Sequence, residues 1–583
     1  MTQSKFWTAI RKALTTMTVM LIVTFVLASG AAAEYKILYQ FRMAKYGENP
    51  IGNLIIDAAG NLYGTTQIGG AYGGGTVFEL SATADGGWKE NILHNFGSGE
   101  DGTNPTGSLV FDAAGNLYGT TLGGGNGGGV GQECPSGIPC GTVFELSRGT
   151  NGSWTEKILH NFNGGGGAGP NGDLIFDAAG NLYGTTDEGG YNGGSCVVDV
   201  GCGTVFELTP AAGGLWNFET LRRFTGAGTD GWAPLAGLTL DASGNLYGTT
   251  SEGADPNCDC GAVFELSPAG SGSWTETILH TFVGAEGDGA FPLAPLTLDA
   301  HGNLYGTTFG GGGEQLGTVF ELMPATVGVW DETVLHSFNS VEGRNPLAGL
   351  IFDAAGNLYG TTEYGGDLSC EQVGCGVVFE LTPTSSGWSE KVLHTFTGYG
   401  KYPEGGVIMD ADGTLYGTVF GGVNIHDVNH GFVFEILKNC IDDTFVMPFS
   451  GTLYLQQKGG EAGATTEFGV GTSPTNFVEY YRGLPNSPDP VGEVMVGSFT
   501  KGTVINFGMF TQFGTQSGWA FSSGSTQASV VAFSDVDDSL GMGGKIIQQT
   551  SPNTWLLHLD DALSYLYDDD DNDVLMQIRI VPQ

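Results

Sequence analysis

The sequence predicts an all-β protein: a seven-bladed β-propeller closed by an N-terminal strand, followed by a β-sandwich or jelly-roll-like domain. Three observations predict it. Asn-Leu-Tyr-Gly-Thr-Thr begins at Asn61, Asn116, Asn181, Asn245, Asn303 and Asn357, and a seventh variant begins at Thr414, at spacings of 54 to 65 residues. Each copy sits among runs of four to seven residues rich in Val, Ile, Leu, Tyr, Phe and Thr, bounded by Gly, Asn or Pro, which is the pattern of strands. Near Lys438 the repeat stops and short alternating runs replace it.

One repeat reads as four strands. Strand a is Leu-Ile-Ile-Asp (Leu54–Asp57), b is Leu-Tyr-Gly-Thr-Thr, c is Val-Phe-Glu-Leu (Val77–Leu80) and d is Ile-Leu-His-x-Phe. Asp-x-x-Gly-Asn between a and b is a hairpin turn, in which the Asp side chain caps backbone N–H groups and Gly accepts positive φ. The mature chain starts with a d strand, Lys36 to Phe41, and no d strand follows the last c strand at Ile436. The first strand is therefore free to complete the last blade and remove the open edges. A solenoid is the alternative, but it needs capping units that the sequence does not display.

Composition narrows the function. The chain has 583 residues, with 62 Asp+Glu against 20 Lys+Arg and a net charge of −42. No basic surface is left to displace counterions from phosphates, which excludes nucleic acid as a partner and disfavours anionic membranes. Gly is abundant at 101 residues, yet 40% of the chain is apolar and 11% aromatic, enough to build a core. Residues 1–33 read as a signal peptide: Lys5, Arg11 and Lys12 precede an uncharged apolar stretch from Ala13 to Ser29, and Ala31-Ala32-Ala33 supplies the cleavage site. The domains are then 1–33 signal peptide, 34–437 propeller and 438–583 C-terminal sandwich. No later segment is apolar enough to span a bilayer, so the expected location is secreted, with no membrane span in the mature chain.

The pattern Asp-Ala-Ala-Gly-Asn-Leu-Tyr-Gly-Thr-Thr followed by Gly-Thr-Val-Phe-Glu-Leu resembles the GloVer tandem repeat of bacterial extracellular proteins, over about residues 36 to 437. More distantly it is similar to NHL-type propeller repeats, where Asp-x-x-Gly-Asn links the first two strands of a blade. The resemblance implies secretion and a repeat scaffold, and it carries no catalytic residues. The polar C-terminus departs from members with a membrane sorting tail, which puts direct anchoring in doubt.

The a–b turn hardly changes length, whereas the b–c loops vary from eight residues (Gln67 to Gly74) to nineteen (Leu122 to Cys140). These loops and the d–a loops emerge on one face, where binding is expected. A proline recurs seven residues before the turn Asp, at Pro50, Pro105, Pro170, Pro234, Pro292, Pro346 and Pro403. Beside these prolines stand Asn49, Asn104, Asn345, Trp232, Phe291 and Tyr402, aromatics and amides of the kind that stack on and hydrogen-bond sugars. Packing between blades is the competing reading of the same six residues.

Five d strands carry His94, His160, His280, His336 and His394, with Tyr39 and Arg222 in the same place. Outer strands of different blades lie apart, so these histidines are expected to bond to a neighbouring Thr or carbonyl and not to share an ion. His426 and His430 with Asp427 share one loop and are a weaker metal candidate. Eight cysteines pair closely in b–c loops: Cys134 with Cys140, Cys196 with Cys202, Cys258 with Cys260, and Cys370 with Cys375. They read as local disulfides, with zinc as the alternative and Cys440 left over.

In the C-terminal region, runs at Gly451–Gln456, Glu493–Phe499, Val504–Phe510, Ser529–Ser534, Trp555–Leu559 and Val574–Val581 predict strands. Asp568-Asp569-Asp570-Asp571-Asn572-Asp573 crowds six oxygen-bearing side chains into one turn, which points to Ca²⁺ or to a solvated acidic turn. No hydrolase elbow, zinc-protease pair or phosphate loop occurs. Asp187, Glu188, Glu252 and Glu363 are the nonrepeated loop acids open to acid–base roles. The expectation is a nonenzymatic secreted scaffold that binds an extracellular glycan or an envelope protein through the variable-loop face. A polysaccharide lyase or hydrolase at the channel mouth and a purely structural envelope protein are the alternatives.

Overall fold

The computed structural model describes residues 34–41, 44–83, 87–99, 101–125, 140–190, 201–270, 272–285, 287–326, 329–370, 372–397, 400–421 and 430–437, and beyond these the backbone of strands between 445 and 582. Tyr35–Leu437 forms one compact unit, and Lys438–Gln583 belongs to a second. Residues 1–33, Cys134, Cys196, His426, Asp427, Cys440 and the acidic run Asp568–Asp573 lie outside the described residues.

The first unit is a seven-bladed β-propeller. Seven four-stranded antiparallel sheets follow the repeat. Blade 1 is typical: a two-residue inner strand a (Ile55–Ile56), then b (Leu62–Thr66), c (Thr76–Ala82) and the outer strand d (Trp88–Asn95). The a strands are shorter than the apolar runs that mark them. In the seventh sheet the outer strand is Glu34–Gln40, paired beside Phe432–Leu437.

The repeated residues have physical reasons. In the a–b turn of blade 1, Asp57 Oδ1 accepts the N–H groups of Ala59 and Asn61, while Oδ2 accepts from Asn61 Nδ2 and the Tyr63 hydroxyl. The Gly of Tyr-Gly-Thr-Thr lies over the c-strand phenylalanine. A Cβ on Gly64 would stand 2.7 Å from Phe78 Cζ, and one on Gly306 would stand 2.5 Å from Phe320 Cζ. Only glycine lets the b strand approach that ring.

A second phenylalanine, just after the d strand or at its end, reaches the c-strand ring of the next blade. Phe96 meets Phe144 at 5.0 Å between ring centres, Phe162 meets Phe206 at 5.2 Å, and the series continues through Phe396 and Phe434 at 5.3 Å. Phe41 meets Phe78 at 5.2 Å. These rings are fully or almost fully buried and form a belt of edge-on and tilted aromatic contacts between blades. Phe41 also holds both backbone bonds of its position, donating to Gly431 O at 2.9 Å and accepting from His430 N–H at 3.1 Å.

The loops of the variable face are pinned as well. Gly102–Thr103 pairs with Gly123–Gly124, Gly231–Trp232 with Glu252–Gly253, and Gly289–Ala290 with Gly310–Gly311. Single bridges do the same at Glu48–Ile68, Ala168–Glu188 and Arg344–Tyr364. Cys258 is disulfide-bonded to Cys260, and Cys370 to Cys375. Cys140 and Cys202 are also in disulfides.

In the second unit the backbone makes two antiparallel sheets. One runs Phe477–Arg482, Thr465–Gly471, Val504–Phe513, Gln516–Phe521 and Ser529–Phe533, with Phe445–Val446 paired to Val504–Phe513. The other runs Val494–Phe499, Gly451–Gly459, Val574–Pro582, Thr554–Leu559 and Lys545–Ser551. Five of these strands have no counterpart among the six sequence-predicted runs.

Two substitutions test the belt by equilibrium unfolding. Gly306→Ala drives a methyl into Phe320 and is expected to cost about 1–3 kcal/mol. Phe41→Ala empties the place between the last and first blades and is expected to cost about 3–5 kcal/mol. A loss below about 0.5 kcal/mol for either would contradict this account of the packing.

Candidate functional site

The variable-loop face is built on the repeated prolines. The residue ahead of each one, Asn49, Asn104, Gly169, Ala233, Phe291, Asn345 and Tyr402, has φ between 53° and 65°. L-residues rarely adopt this region, and a bulky side chain there carries strain. The fold over-determines the position with two backbone bonds. Asn104 N–H donates to Gly74 O of the preceding blade at 2.7 Å, and Asn104 O accepts from Leu122 N–H of its own blade at 2.9 Å. Phe291 repeats this with Cys260 O and Phe309 N–H, at 2.8 and 3.0 Å. The proline ring packs on the glycine before the preceding c strand: a Cβ on Gly75 would stand 2.6 Å from Pro105 Cδ.

Inside this ring of clasps runs a ring of hydroxyls. The first Thr of each Gly-Thr-Thr, or of Gly-Thr-Val in the last blade, donates to a carbonyl of the next blade. Thr185 bonds Ala236 O at 2.7 Å, Thr307 bonds Ala348 O at 3.0 Å, Thr361 bonds Gly405 O at 2.9 Å and Thr418 bonds Gly52 O at 3.4 Å. The residues after the prolines then line a central cavity of about 360 Å³.

The cavity is two-sided. Blades 7, 1, 2 and 3 contribute Glu404, Asn53, Ser108 and Asp173 together with Ile51 and Leu122, whereas blades 4 to 6 contribute only apolar side chains, Leu235, Leu293, Pro295 and Leu347 among them. The polar side is wired together. Gly406 N–H donates to Asn53 Oδ1 at 2.6 Å, Asn53 N–H to Ser108 Oγ at 2.9 Å, and Ser108 N–H to Asp173 Oδ1 at 2.6 Å. Burial pushes the Asp173 carboxyl up, against the lowering effect of the Ser108 bonds.

Other acids on this face are also held protonated more readily than usual. Burial, then the charge of Glu188, pushes Asp187 up to about 7. Burial, then Glu363, pushes Glu404 up to about 7, and burial raises Glu363 itself. Such values suit proton transfer near neutrality.

The six residues singled out from the sequence stand around the face in different blades. Asn104 Nδ2 donates to Gln67 O at 3.3 Å and Asn345 Nδ2 to Phe309 O at 2.8 Å, so both amides also tie neighbouring blades. Trp232 and Phe291 pack against blade cores, and Tyr402 is buried against Tyr364 with ring centres 5.3 Å apart. Asn49 joins blades 7 and 1 through its backbone, with bonds of 2.9 Å to His430 O and from Gln67 N–H. None of the six lines the central cavity, which is made by the residues on the other side of each proline. Reading that column down the repeat (Ile51, Thr106, Asn171, Leu235, Leu293, Leu347, Glu404) is the signal that finds it.

The expectation that outer-strand histidines bond to Thr or to loop carbonyls needs correction. His94 and His280 meet Asp101 and Asp288 at 3.2 Å, and His160 and His394 stack on Phe218 and Tyr35 at 3.9 and 3.8 Å. The partners come from the next loop or the next blade, which a single repeat does not reveal.

A family model described as the Gloeobacter/Verrucomicrobia repeat matches residues 23–132, 134–373 and 261–475. No curated protein matches the chain. Among solved structures it is similar to the extracellular domain of a putative hybrid two-component system from B. thetaiotaomicron (11% identity, TM-score 0.42), covering 85% of this chain and 57% of that one. The aldose sugar dehydrogenase of Streptomyces coelicolor gives 11% identity and a TM-score of 0.32, covering 70% of this chain and 99% of that one. A GH43 protein from Bacillus licheniformis gives 13% and 0.27, covering 94% and 96%. Likeness at this level transfers no activity.

The shifted carboxyls set a pH dependence. An acid whose folded pKa is raised contributes most below its unfolded value of about 4, and this is lost as pH rises through about 7. Glu90, Glu276, Glu332 and Glu390, raised first by burial to about 7, act in the same direction as Asp187 and Glu404. The turn aspartates oppose this: despite burial, bonds from Asn61, Ala59 and Tyr63 hold Asp57 below its ordinary range, and its contribution is lost as pH falls below about 4. Thermal stability is therefore expected to be highest near pH 4 to 5, to fall as pH rises to about 7.5 and to level off above it. Glu404→Gln is expected to raise Tm at pH 8 and not at pH 5, measured by calorimetry across that range. A flat profile from pH 6 to 8.5 would contradict the assignment.

Proposed function

The chain belongs to the Gloeobacter/Verrucomicrobia repeat family, and from that premise we propose that it is a secreted, nonenzymatic scaffold whose variable-loop face binds an extracellular glycan. The observation that carries this reading is the two-sided cavity. A sugar ring has an apolar C–H face and a polar hydroxyl rim, and the cavity sets Leu235, Leu293 and Leu347 against Asn53, Ser108, Asn171 and Asp173. Trp232, Phe291 and Tyr402, with Asn49, Asn104 and Asn345, then form the surround of the mouth and extend contact to longer chains. An envelope protein is the competing partner.

The rest of the reading follows the same line. Residues 1–33 act as a signal peptide, and the paired cysteines suit the oxidising space outside the cell. Among the described residues no helix is long and apolar enough to cross a membrane. Glu34–Gln40 serves as the latch of the ring, and 438–583 forms a sandwich for attachment, with Ca²⁺ on Asp568–Asp573.

Binding of residues 34–583 to a panel of soluble polysaccharides tests the site. Leu293→Asp is expected to weaken selective binding at least 10-fold. Phe291→Asn removes the ring while placing at the left-handed position the residue that blades 1, 2 and 6 already use there. It is expected to preserve the fold and weaken binding only of longer chains. Selective binding unaffected by Leu293→Asp would move the site away from the cavity, and no binding to any glycan would favour a protein partner.

One observation favours a second reading, a polysaccharide hydrolase or lyase: Glu404 lines the cavity, where burial, then Glu363, pushes its carboxyl up to about 7. Incubation with bound polysaccharide at pH 5 to 7 is expected to release new reducing ends or unsaturated sugars only under that reading. Their loss in Glu404→Gln would then locate the chemistry.

A further inference from the structure

The outer edge of the propeller has seams, where the d strand of one blade faces the d strand of the next. The repeat places one variable side chain on each side of a seam, and the pairs are chemically matched. Where the facing residue is aromatic, a histidine stacks on it: His160 on Phe218 and His394 on Tyr35. At one seam a Tyr39 hydroxyl donates to Glu90 at 2.9 Å. At another, two carboxylates converge, Asp230 from the loop and Glu276 from the next blade. Between them lies the Arg222 guanidinium, at 3.0 and 2.6 Å. A permanent cation fills that seam.

The seam between blades 1 and 2 has the same two carboxylates, Asp101 and Glu156, but His94 replaces the arginine. His94 Nε2 lies 3.2 Å from Asp101 Oδ2 and 3.8 Å from Glu156 Oε2. An imidazole offers at most two N–H donors, where the guanidinium offers five. Glu156 Oε1, like the matching Oε1 of Glu276 in the Arg222 seam, is buried without a hydrogen-bond partner. One ligand atom from each of the three residues lies within 4.8 Å of the others, a closeness that the equivalent His280, Asp288 and Glu332 between blades 4 and 5 do not reach. The imidazole is oriented edge-on by the buried Phe96, with ring centres 4.6 Å apart. Asp101 is fixed through its other oxygen, which accepts Gly102 N–H at 2.7 Å. An open groove of about 540 Å³, also lined by Tyr72, Asn95 and Ser98, leads to the three side chains.

We propose that His94, Asp101 and Glu156 bind a divalent first-row metal ion of the Zn²⁺ class, which does in this seam what the Arg222 guanidinium does two blades on. One imidazole nitrogen and two carboxylate oxygens are ligands that Zn²⁺ accepts, and the groove leaves a position for water. Ca²⁺ prefers an all-oxygen shell and fits the imidazole poorly. The expectation that the outer-strand histidines do not share one ion is compatible with this, since the other two ligands are acids.

The test uses metal-free residues 34–583, titrated with ZnCl₂ at pH 7.5 by calorimetry and followed by thermal unfolding. Two variants accompany it: Glu156→Gln, and His94→Arg, which copies the Arg222 seam and so keeps the fold. The wild type is expected to bind one more equivalent of Zn²⁺ than either variant. Zn²⁺ is expected to raise its Tm by about 2–4 °C, a rise absent in His94→Arg. Equal stoichiometry and equal Tm response in wild type and His94→Arg would overturn the proposal. A His94-dependent response to CaCl₂ and not to ZnCl₂ would overturn the assignment of metal class.

Discussion

The contact between a missing side chain and a ring organises the propeller. Because Gly64 and its counterparts have no Cβ, the b strand settles onto the c-strand phenylalanine at a distance no other residue allows. That ring then presents its edge to the phenylalanine of the preceding blade, and the spacing of the blades follows. Aromatic rings are stiff and bulky, so a belt of them sets a repeat distance more firmly than aliphatic packing would. The Thr–carbonyl ring nearer the axis satisfies polar groups that the same close approach buries.

This division of labour frees the positions around the channel. Backbone bonds carry the left-handed residue ahead of each proline, so the side chains on either side of it are open to variation. The fold uses that freedom unevenly. Three of the four leucines that line the cavity stand on blades 4 to 6 and its hydrogen-bonding side chains on blades 7 to 3, which gives a pseudosymmetric scaffold an asymmetric cavity. Repetition supplies the frame, and departure from repetition supplies the chemistry.

The seams make the same point for charge. A seam with no facing acid takes a stacked histidine, kept neutral by burial, which pushes His160 and His394 down to about 4. At the seam between blades 3 and 4, where two carboxylates converge, Arg222 supplies the cation, whereas the seam with Asp288 and Glu332 keeps His280. At His94 two carboxylates face an imidazole where the Arg222 seam has a guanidinium.

By itself the sequence determined the fold of the first unit. The seven copies of Leu-Tyr-Gly-Thr, the turn aspartates and the Val-Phe-Glu runs encode local strand and turn preferences, and their count is the blade count. The second unit was only half legible: strands such as Thr465–Gly471 and Lys545–Ser551 lack a repeat to mark them. The site was less legible still. Asn104 and Phe291 stood out because they adjoin Pro105 and Pro292, yet their left-handed backbone is imposed by carbonyls of the preceding blade, which are remote in sequence. Only the tertiary structure decided which side of the proline faces the cavity, and which acid faces which histidine. His94 and Glu156 are 62 positions apart and meet because adjacent blades do, a juxtaposition set by packing between repeats and invisible within any one of them.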